Sequence, residues 1–231
     1  LNELALFAGA GGGLLASRLL GWRTVCAIEW NPSAAAILAA RQNDGSLEPF
    51  LVWDDIRTFD GMPFRGRIDI VSGGFPCQAY SSAAAGNNTA DDLWPEQRRI
   101  VADVAPRYVF AENVQRRAID RAADDLEALG YETRCLSLSA QDLGADHIRS
   151  RHWLLAYADD PRELLRTVDA EAPILPGMEH RVWESDPGSA GMADGLSSRM
   201  DRLAATGNGQ VPVVAVAALL TLAAAAGSVK G

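Results

Sequence analysis

Ile70-Val71-Ser72-Gly73-Gly74-Phe75-Pro76-Cys77-Gln78 reads as an apolar strand that runs into two glycines, a proline and a cysteine. That order lifts one thiol off a sheet edge on a tight, stiff turn, where it is a candidate nucleophile. The other two cysteines sit in different company. Cys26 lies in Thr24-Val25-Cys26-Ala27-Ile28 and Cys135 in Thr133-Arg134-Cys135-Leu136-Ser137-Leu138, and both read as small buried hydrophobes. The three have neither metal-ligand nor disulfide-framework spacing.

Outward from this strand, the chain alternates strand and helix signals. Leu4 to Phe7 is a short apolar strand, and the glycines from Gly9 to Gly13 open a helix through about Leu20. Thr24 to Ile28 is a second strand, ending in Glu29-Trp30. Asn31 caps a helix that has Pro32 at its first position and runs to about Gln42. Phe50 to Val52 is a third strand, followed by Asp54-Asp55-Ile56, and Ile68 to Val71 is the fourth. Pro95 to Val104 is helical. Tyr108 to Ala111 is a fifth strand ending in Glu112-Asn113-Val114, followed by a helix from Arg117 to Leu129. Thr133 to Leu138 and His152 to Tyr157 are late strands. This rhythm predicts an α/β fold with a doubly wound, mostly parallel sheet, whose ligands sit at the carboxyl ends of the strands. Gly9, Glu29, Asp55, Cys77 and Glu112 all follow strands, so they are expected to share one site.

Composition sets the outer bounds. The 231 residues suffice for one α/β domain with a small appendage, and 48% hydrophobic with 22% charged residues is ordinary for a globular chain. No stretch is long and apolar enough to span a membrane; Val211 to Ala226 reads as a buried alanine-rich helix. Strand-like sequence begins at Leu4, which leaves no room for a leader, and unpaired cysteines suit a reducing cytoplasm. The net charge of −9 counts against a nucleic-acid partner. Against that, 20 of the 21 basic residues are arginine, the better bidentate reader of phosphate and guanine; a coding bias toward arginine explains the same count. From Ala158 to Met200 the periodicity breaks, with prolines at 161, 173, 176 and 187. The expected organisation is a catalytic α/β domain over 1–157, a short irregular segment over 158–200, and a segment over 201–231 that returns to the domain.

The glycine turn suits a nucleotide-like ligand, because glycines admit a close backbone approach and the next helix presents free N–H groups. Glu29 can accept both hydrogen bonds of a ribose diol. Trp30 either stacks an adenine or packs in the core. Asp55 either accepts from an exocyclic adenine amine or caps a turn, and Asp54 competes for both roles.

Phe7-Ala8-Gly9-Ala10-Gly11-Gly12, Glu29-Trp30, Asp55-Ile56, Gly74-Phe75-Pro76-Cys77-Gln78, Glu112-Asn113-Val114, Arg149-Ser150-Arg151 and Gly207-Asn208-Gly209-Gln210-Val211-Pro212 occur in this order. Together they resemble the ordered motifs of DNA (cytosine-5)-methyltransferases, over nearly the whole chain except Ala158 to Met200. The resemblance implies a Rossmann-like methyltransferase fold, S-adenosylmethionine as methyl donor and S-adenosylhomocysteine as product. It implies double-stranded DNA as substrate and a bacterial or phage origin, and it leaves open whether a restriction-system partner exists. Carbon 5 of cytosine is a poor nucleophile; a thiolate adding at carbon 6 makes an enamine that can take a methyl. Cys77 matches the family nucleophile, Glu112 the carboxylate that holds the ring's N3 and exocyclic amine, and Arg149 and Arg151 the paired arginines beside the base. The cofactor set implied is Phe7, Gly9, Gly11, Gly12, Glu29, Trp30, Asp55, Ile56, Pro76, Leu93 and Asn208. A duplex base must be flipped out to react, and the loop from Gln78 to Asp92 fits a lid over it, with Gln78 and Ser81 facing DNA. Arg162, Arg166 and Arg181 are the implied DNA contacts of the short recognition segment. Two positions depart from the family pattern: Asp146 stands for its proline and His147 for its glutamine. An RNA cytosine methyltransferase of similar fold and a catalytically silent binding module are the alternative readings.

Overall fold

The structure, a computed structural model, describes residues 1–76, 92–166 and 209–226. Its elements, in chain order, are β1 (Asn2–Leu6), α1 (Gly12–Leu19), β2 (Arg23–Ile28), α2 (Pro32–Asn43), β3 (Leu51–Trp53) and β4 (Ile70–Gly74). Then follow α3 (Trp94–Val104), β5 (Tyr108–Asn113), α4 (Arg116–Glu127), β6 (Glu132–Ser139), β7 (Ser150–Tyr157), α5 (Glu163–Arg166) and α6 (Pro212–Ala225). The strands form a seven-stranded sheet in the order β3-β2-β1-β4-β5-β7-β6. β1 to β5 are parallel, and β7 enters antiparallel between β5 and β6. The expected doubly wound, mostly parallel sheet is therefore present.

The strands form where the sequence is continuously apolar, because helices cover both faces of a parallel sheet. β1, β4 and β5 supply Leu4, Leu6, Ile70, Val71, Tyr108, Val109 and Ala111, all buried. On one face α3 and α4 lay Ile100, Val101, Val104, Ile119, Ala122 and Leu126 against Leu4, Val71 and Val109. On the other, α6 packs Val214, Ala218, Leu219 and Leu222 with Ile70, Tyr108, Phe110 and Trp153. Leu164 of α5 is buried in that same core, so the segment after Ala158 begins as part of the domain. Asn31 caps α2 as its sequence predicts, accepting from the Ser33 and Ala34 amides at 2.9 and 3.1 Å, with Pro32 in the first turn.

One expectation needs correction, and one pair of alternatives is narrowed. Cys26 is buried, but Cys135 is exposed, because β6 is an edge strand with a single neighbour, β7. Trp30 is 67% exposed rather than in the core; it lies beyond the end of β2, with the Arg57 guanidinium 5.5 Å from its ring centroid.

A fully buried carboxyl, Glu3, ties four elements together. It accepts from Ser17 of α1 at 2.7 Å, Thr24 of β2 at 2.8 Å and Ser72 of β4 at 2.6 Å. Burial outweighs these hydroxyls and pushes its pKa above the ordinary value of 4.5. A carboxyl whose folded pKa is raised contributes stability that is complete below the unfolded value and is lost as pH rises through the folded one. Glu3→Gln keeps the shape and removes the charge. Its unfolding free energy is expected to lose the part of the pH dependence due to this group, and to exceed wild type at pH 8. Denaturant titrations at pH 5 and pH 8 check this; an unchanged slope between the two would refute it.

Candidate active site

The carboxyl ends of β1, β4 and β5 converge on a cavity of about 40 Å³. Phe7, Ala8 and Gly9 wall one side, Gly13 and Leu14 of α1 another, and Ser72 to Gly74, Glu112, Gly209 and Gln210 close it. The chain reaches it from β1 through a tight turn. Phe7 and Gly9 have φ of 54° and 55°, and Gly11 has φ of 89°, left-handed values that suit glycine at the last two and mark Phe7 as strained. A Cβ on Gly73 would lie 2.7 Å from the Leu6 carbonyl, so β4 needs glycine there to approach β1.

Glu29, directly after β2, holds this turn. Its Oε2 accepts from the Gly9 amide at 2.6 Å and its Oε1 from the Asn31 amide at 2.7 Å. Each oxygen keeps a second lone pair. Asp55 is occupied as a turn cap: its Oδ1 accepts from the Arg57 amide at 3.0 Å, while Asp54 accepts from the Asp55 amide at 2.7 Å. Ile56 is buried in the core on the α3 side, with Phe7 and Leu93 packed against the same cluster, so only its main chain can serve a ligand. Gly11 faces Leu38 of α2 rather than the cavity, and Gly12 faces the Gln210 carbonyl.

Glu112 is the buried acid of the site. It stands inside β5, one residue before the strand's end, and is 7% exposed. Arg151 of β7 brings Nε to 2.8 Å from its Oε1. That contact lies off the hydrogen-bond axis, and Oε1 is left without an aligned donor. Burial pushes the Glu112 pKa above the ordinary carboxyl value; Arg151, Arg149 and the Gln210 side chain pull it back in part. Arg149 donates to the Gly209 carbonyl and loses basicity, chiefly through burial and then through Arg151. The two arginines predicted from sequence thus flank the predicted acid, because β7 pairs antiparallel with β5 and brings Trp153 opposite Glu112.

Asn113, the next residue, donates to the Phe75 carbonyl at 2.8 Å and so anchors the turn that leads through half-buried Pro76 toward Cys77. Cys77, Gln78, Ser81, Arg181 and Asn208 lie outside the described residues. Arg162 and Arg166 are not brought to the cavity. α5 follows the far end of β7, where Ala158 bonds to Arg107 just before β5, and Arg162 is paired with Asp160 at 2.5 Å. His147 is exposed beside Asp146, 3.4 Å away. Sequence reading assigned no role to Ser72, Gly13 or the Gln210 side chain. Their signal was adjacency to recognised motifs, but only the docking of α6 on α1 brings them together.

A sheet ordered β3-β2-β1-β4-β5-β7-β6, with a glycine turn after its first strand and a buried acid near the end of its fifth, has the Rossmann-like fold of methyltransferases. Residues 1–187 match the family model of C-5 cytosine-specific DNA methylases, and the chain belongs to that family. The Type II methyltransferase M.NgoMIV of Neisseria gonorrhoeae is 30% identical over 169 residues, which cover 69% of this chain and 52% of the relative. M.CviJI, a Type II methyltransferase of Paramecium bursaria Chlorella virus IL3A, is 30% identical over 181 residues, covering 73% and 47%. The chain thus spans about half the length of these curated relatives. Among solved structures, a DNA modification methyltransferase encoded within an Escherichia coli prophage superposes with a TM-score of 0.54 at 24% identity, covering 68% of this chain and 46% of its own. The S. pombe Dnmt2 methyltransferase does so with a TM-score of 0.53 at 24% identity, covering 68% and 49%. No helix among the described residues is long and apolar enough to cross a membrane.

Proposed function

We propose that the chain transfers a methyl group to carbon 5 of cytosine in double-stranded DNA, through a covalent bond between Cys77 and the ring. The observation that carries this reading is Glu112: a buried carboxyl whose pKa burial raises, with Arg151 2.8 Å from one oxygen, at a cavity lined by the glycine turn. An acid in that state can give a proton to N3, and its carboxyl oxygens keep lone pairs that can accept from the exocyclic amine of a flipped-out cytosine.

The residues fit S-adenosylmethionine, which supplies an electrophilic methyl on a sulfonium. Phe7, Ala8 and Gly9 offer a close backbone wall, Glu29 has lone pairs free for a ribose diol, and exposed Trp30 offers a ring face to adenine. Gly11, Gly12, Asp55, Ile56, Pro76, Leu93 and Asn208 complete the set that the motifs assign. The chain's own work is on the pyrimidine. The Cys77 thiolate forms a carbon–sulfur bond at carbon 6 as Glu112 delivers its proton to N3, leaving electron density on carbon 5. Arg149 and Arg151 hold the acid and the ring oxygen. After methylation, water in the site takes the carbon 5 proton; the C–H electron pair forms the carbon 5–carbon 6 double bond and expels Cys77 as a thiolate, and the N3 proton returns to Glu112. Gln78 and Ser81 follow the base in the loop after Cys77, and Arg181 reads the duplex from the recognition segment. A restriction-system partner and a bacterial or phage cytoplasmic setting belong to this proposal through the relatives' names.

Tritiated S-adenosylmethionine, incubated with the protein and either mixed genomic duplex DNA or total tRNA, tests the reading. Label is expected in DNA at 5-methylcytosine. Label confined to tRNA would move the substrate to RNA, and label in neither would refute transfer.

A further inference from the structure

Gln210 lines the site cavity and a second, smaller one behind it, which it shares with Ser17, Trp22, Ser72 and Phe110. We propose that Gln210 is a positioning residue whose side-chain amide spans from the amino end of α1 to Glu112 and holds that carboxyl in register with the target base. The proposal rests on the reading of Glu112 as the acid for N3.

Two glycines make room for this side chain and a third for its backbone. A Cβ on Gly13 would fall 2.8 Å from Gln210 Oε1, and one on Gly12 would fall 2.2 Å from its backbone oxygen. On Gly74, a Cβ would fall 3.2 Å from Gln210 Nε2 and 2.6 Å from Glu112 Oε2. The amide oxygen therefore faces the first turn of α1, where free N–H groups carry partial positive charge. The amide nitrogen faces the carboxyl, which accepts from it. Turning the amide over would set oxygen against oxygen at one end and N–H against N–H at the other, so the polarity matches in only one sense.

The backbone on both sides is held. Arg149 binds the Gly209 carbonyl, and Pro212 starts α6, which docks beside α1. The reach of the Gln210 side chain is thereby set by the rigid part of the fold rather than by its own rotamers. Among the described residues, the groups facing Glu112 are Arg151 of β7, Arg149 just before that strand, and Gln210 at the entry to α6, with Gly74 of β4 beside it. Glu3 of β1 is consumed by Ser17, Thr24 and Ser72. Gln210 is thus a neutral donor to the acid, and it connects the cofactor turn to the base pocket.

Gln210→Met removes the donor at nearly the same length, and Gln210→Leu serves if that variant fails to fold. Steady-state rates on DNA, from about pH 6 to 9, are compared with wild type. The expected result is a fall in kcat of about tenfold or more with KM for S-adenosylmethionine within about threefold, and an alkaline limb displaced to higher pH. The displacement follows because a lost N–H no longer stabilises the carboxylate. A variant with wild-type kcat overturns the proposal, and so does a lowered kcat with an unmoved alkaline limb, which is what a packing role alone would give. A Glu112→Gln enzyme of wild-type rate would instead remove the acid on which the proposal stands.

Discussion

Cys77→Ala is expected to abolish methyl transfer to DNA, by roughly 10⁴-fold or more, while leaving S-adenosylmethionine binding within a few-fold of wild type. Removing a covalent nucleophile typically costs on that scale, since the remaining groups bind and polarise but cannot open the addition route. Carbon 5 of cytosine has little nucleophilicity of its own, and Glu112 cannot create it by protonating N3 alone. The electron pair that reaches carbon 5 must enter the ring at carbon 6. The described residues lead up to that cysteine. β4 ends in Gly74 beside Glu112, the Phe75 carbonyl is pinned by Asn113 at 2.8 Å, and Pro76 precedes the cysteine. Duplex carrying 5-fluorocytosine separates this role from a structural one. Fluorine cannot leave as the carbon 5 proton does, so the wild-type protein is expected to remain bonded to the duplex through denaturing electrophoresis. Cys77→Ala should form no such band. A band of equal intensity from the variant would place the nucleophile elsewhere, and Cys26 is a poor candidate: it is buried, and burial raises its pKa to about 11.

Much of the frame behind this prediction was legible in the sequence. Strands covered on both faces by helices are largely apolar, so β1, β2, β4 and β5 stood out as mostly apolar runs, and the polar residue after each marked the ligand end. Asn31 and Pro32 announced α2 through local chemistry alone. What local pattern did not carry was exposure and partnership. Cys135 sits in a run broken by Thr133, Arg134 and Ser137, and β6 has one neighbour where β2 has two, so the thiol is exposed. Trp30 is a large aromatic that the fold leaves outside the core. Arg162 looked like a duplex contact, but the antiparallel run of β7 carries it to the end of β5 remote from Glu112 and into a pair with Asp160. The neighbourhood of Glu112 is the clearest case. Arg151 comes from β7, Gln210 from the approach to α6 and Gly74 from β4, and no spacing in the chain states that these meet. The motif order could suggest a common site, while the Arg151 contact with Oε1 and the raised pKa exist only once the fold is closed.

That acid carries the second large effect. Glu112→Gln is expected to lower kcat by about 10²–10⁴-fold, the usual worth of a positioned general acid, with the fold retained. Glutamine fills the same space and can still pair with the exocyclic amine through its oxygen, but it has no proton to give N3 as sulfur adds. The wild-type enzyme should also show why the proton is present. Desolvation disfavours the charged carboxylate, so the Glu112 pKa stands above the ordinary value of 4.5; the protonated form is lost, and kcat with it, as pH rises through the raised value. Arg151 works against this shift, its charge lying 2.8 Å from Oε1. Arg151→Gln therefore pushes the Glu112 pKa further up. Its alkaline decline is expected at higher pH than in wild type, even though its maximal rate falls because the acid and the ring oxygen lose a partner. The two variants thus make opposite demands on one curve: Glu112→Gln should lose the alkaline limb, and Arg151→Gln should keep it and displace it upward. Rates measured at saturating DNA and S-adenosylmethionine across that range decide the matter. A limb that persists in Glu112→Gln would assign the titration to another group and take the proton at N3 away from Glu112.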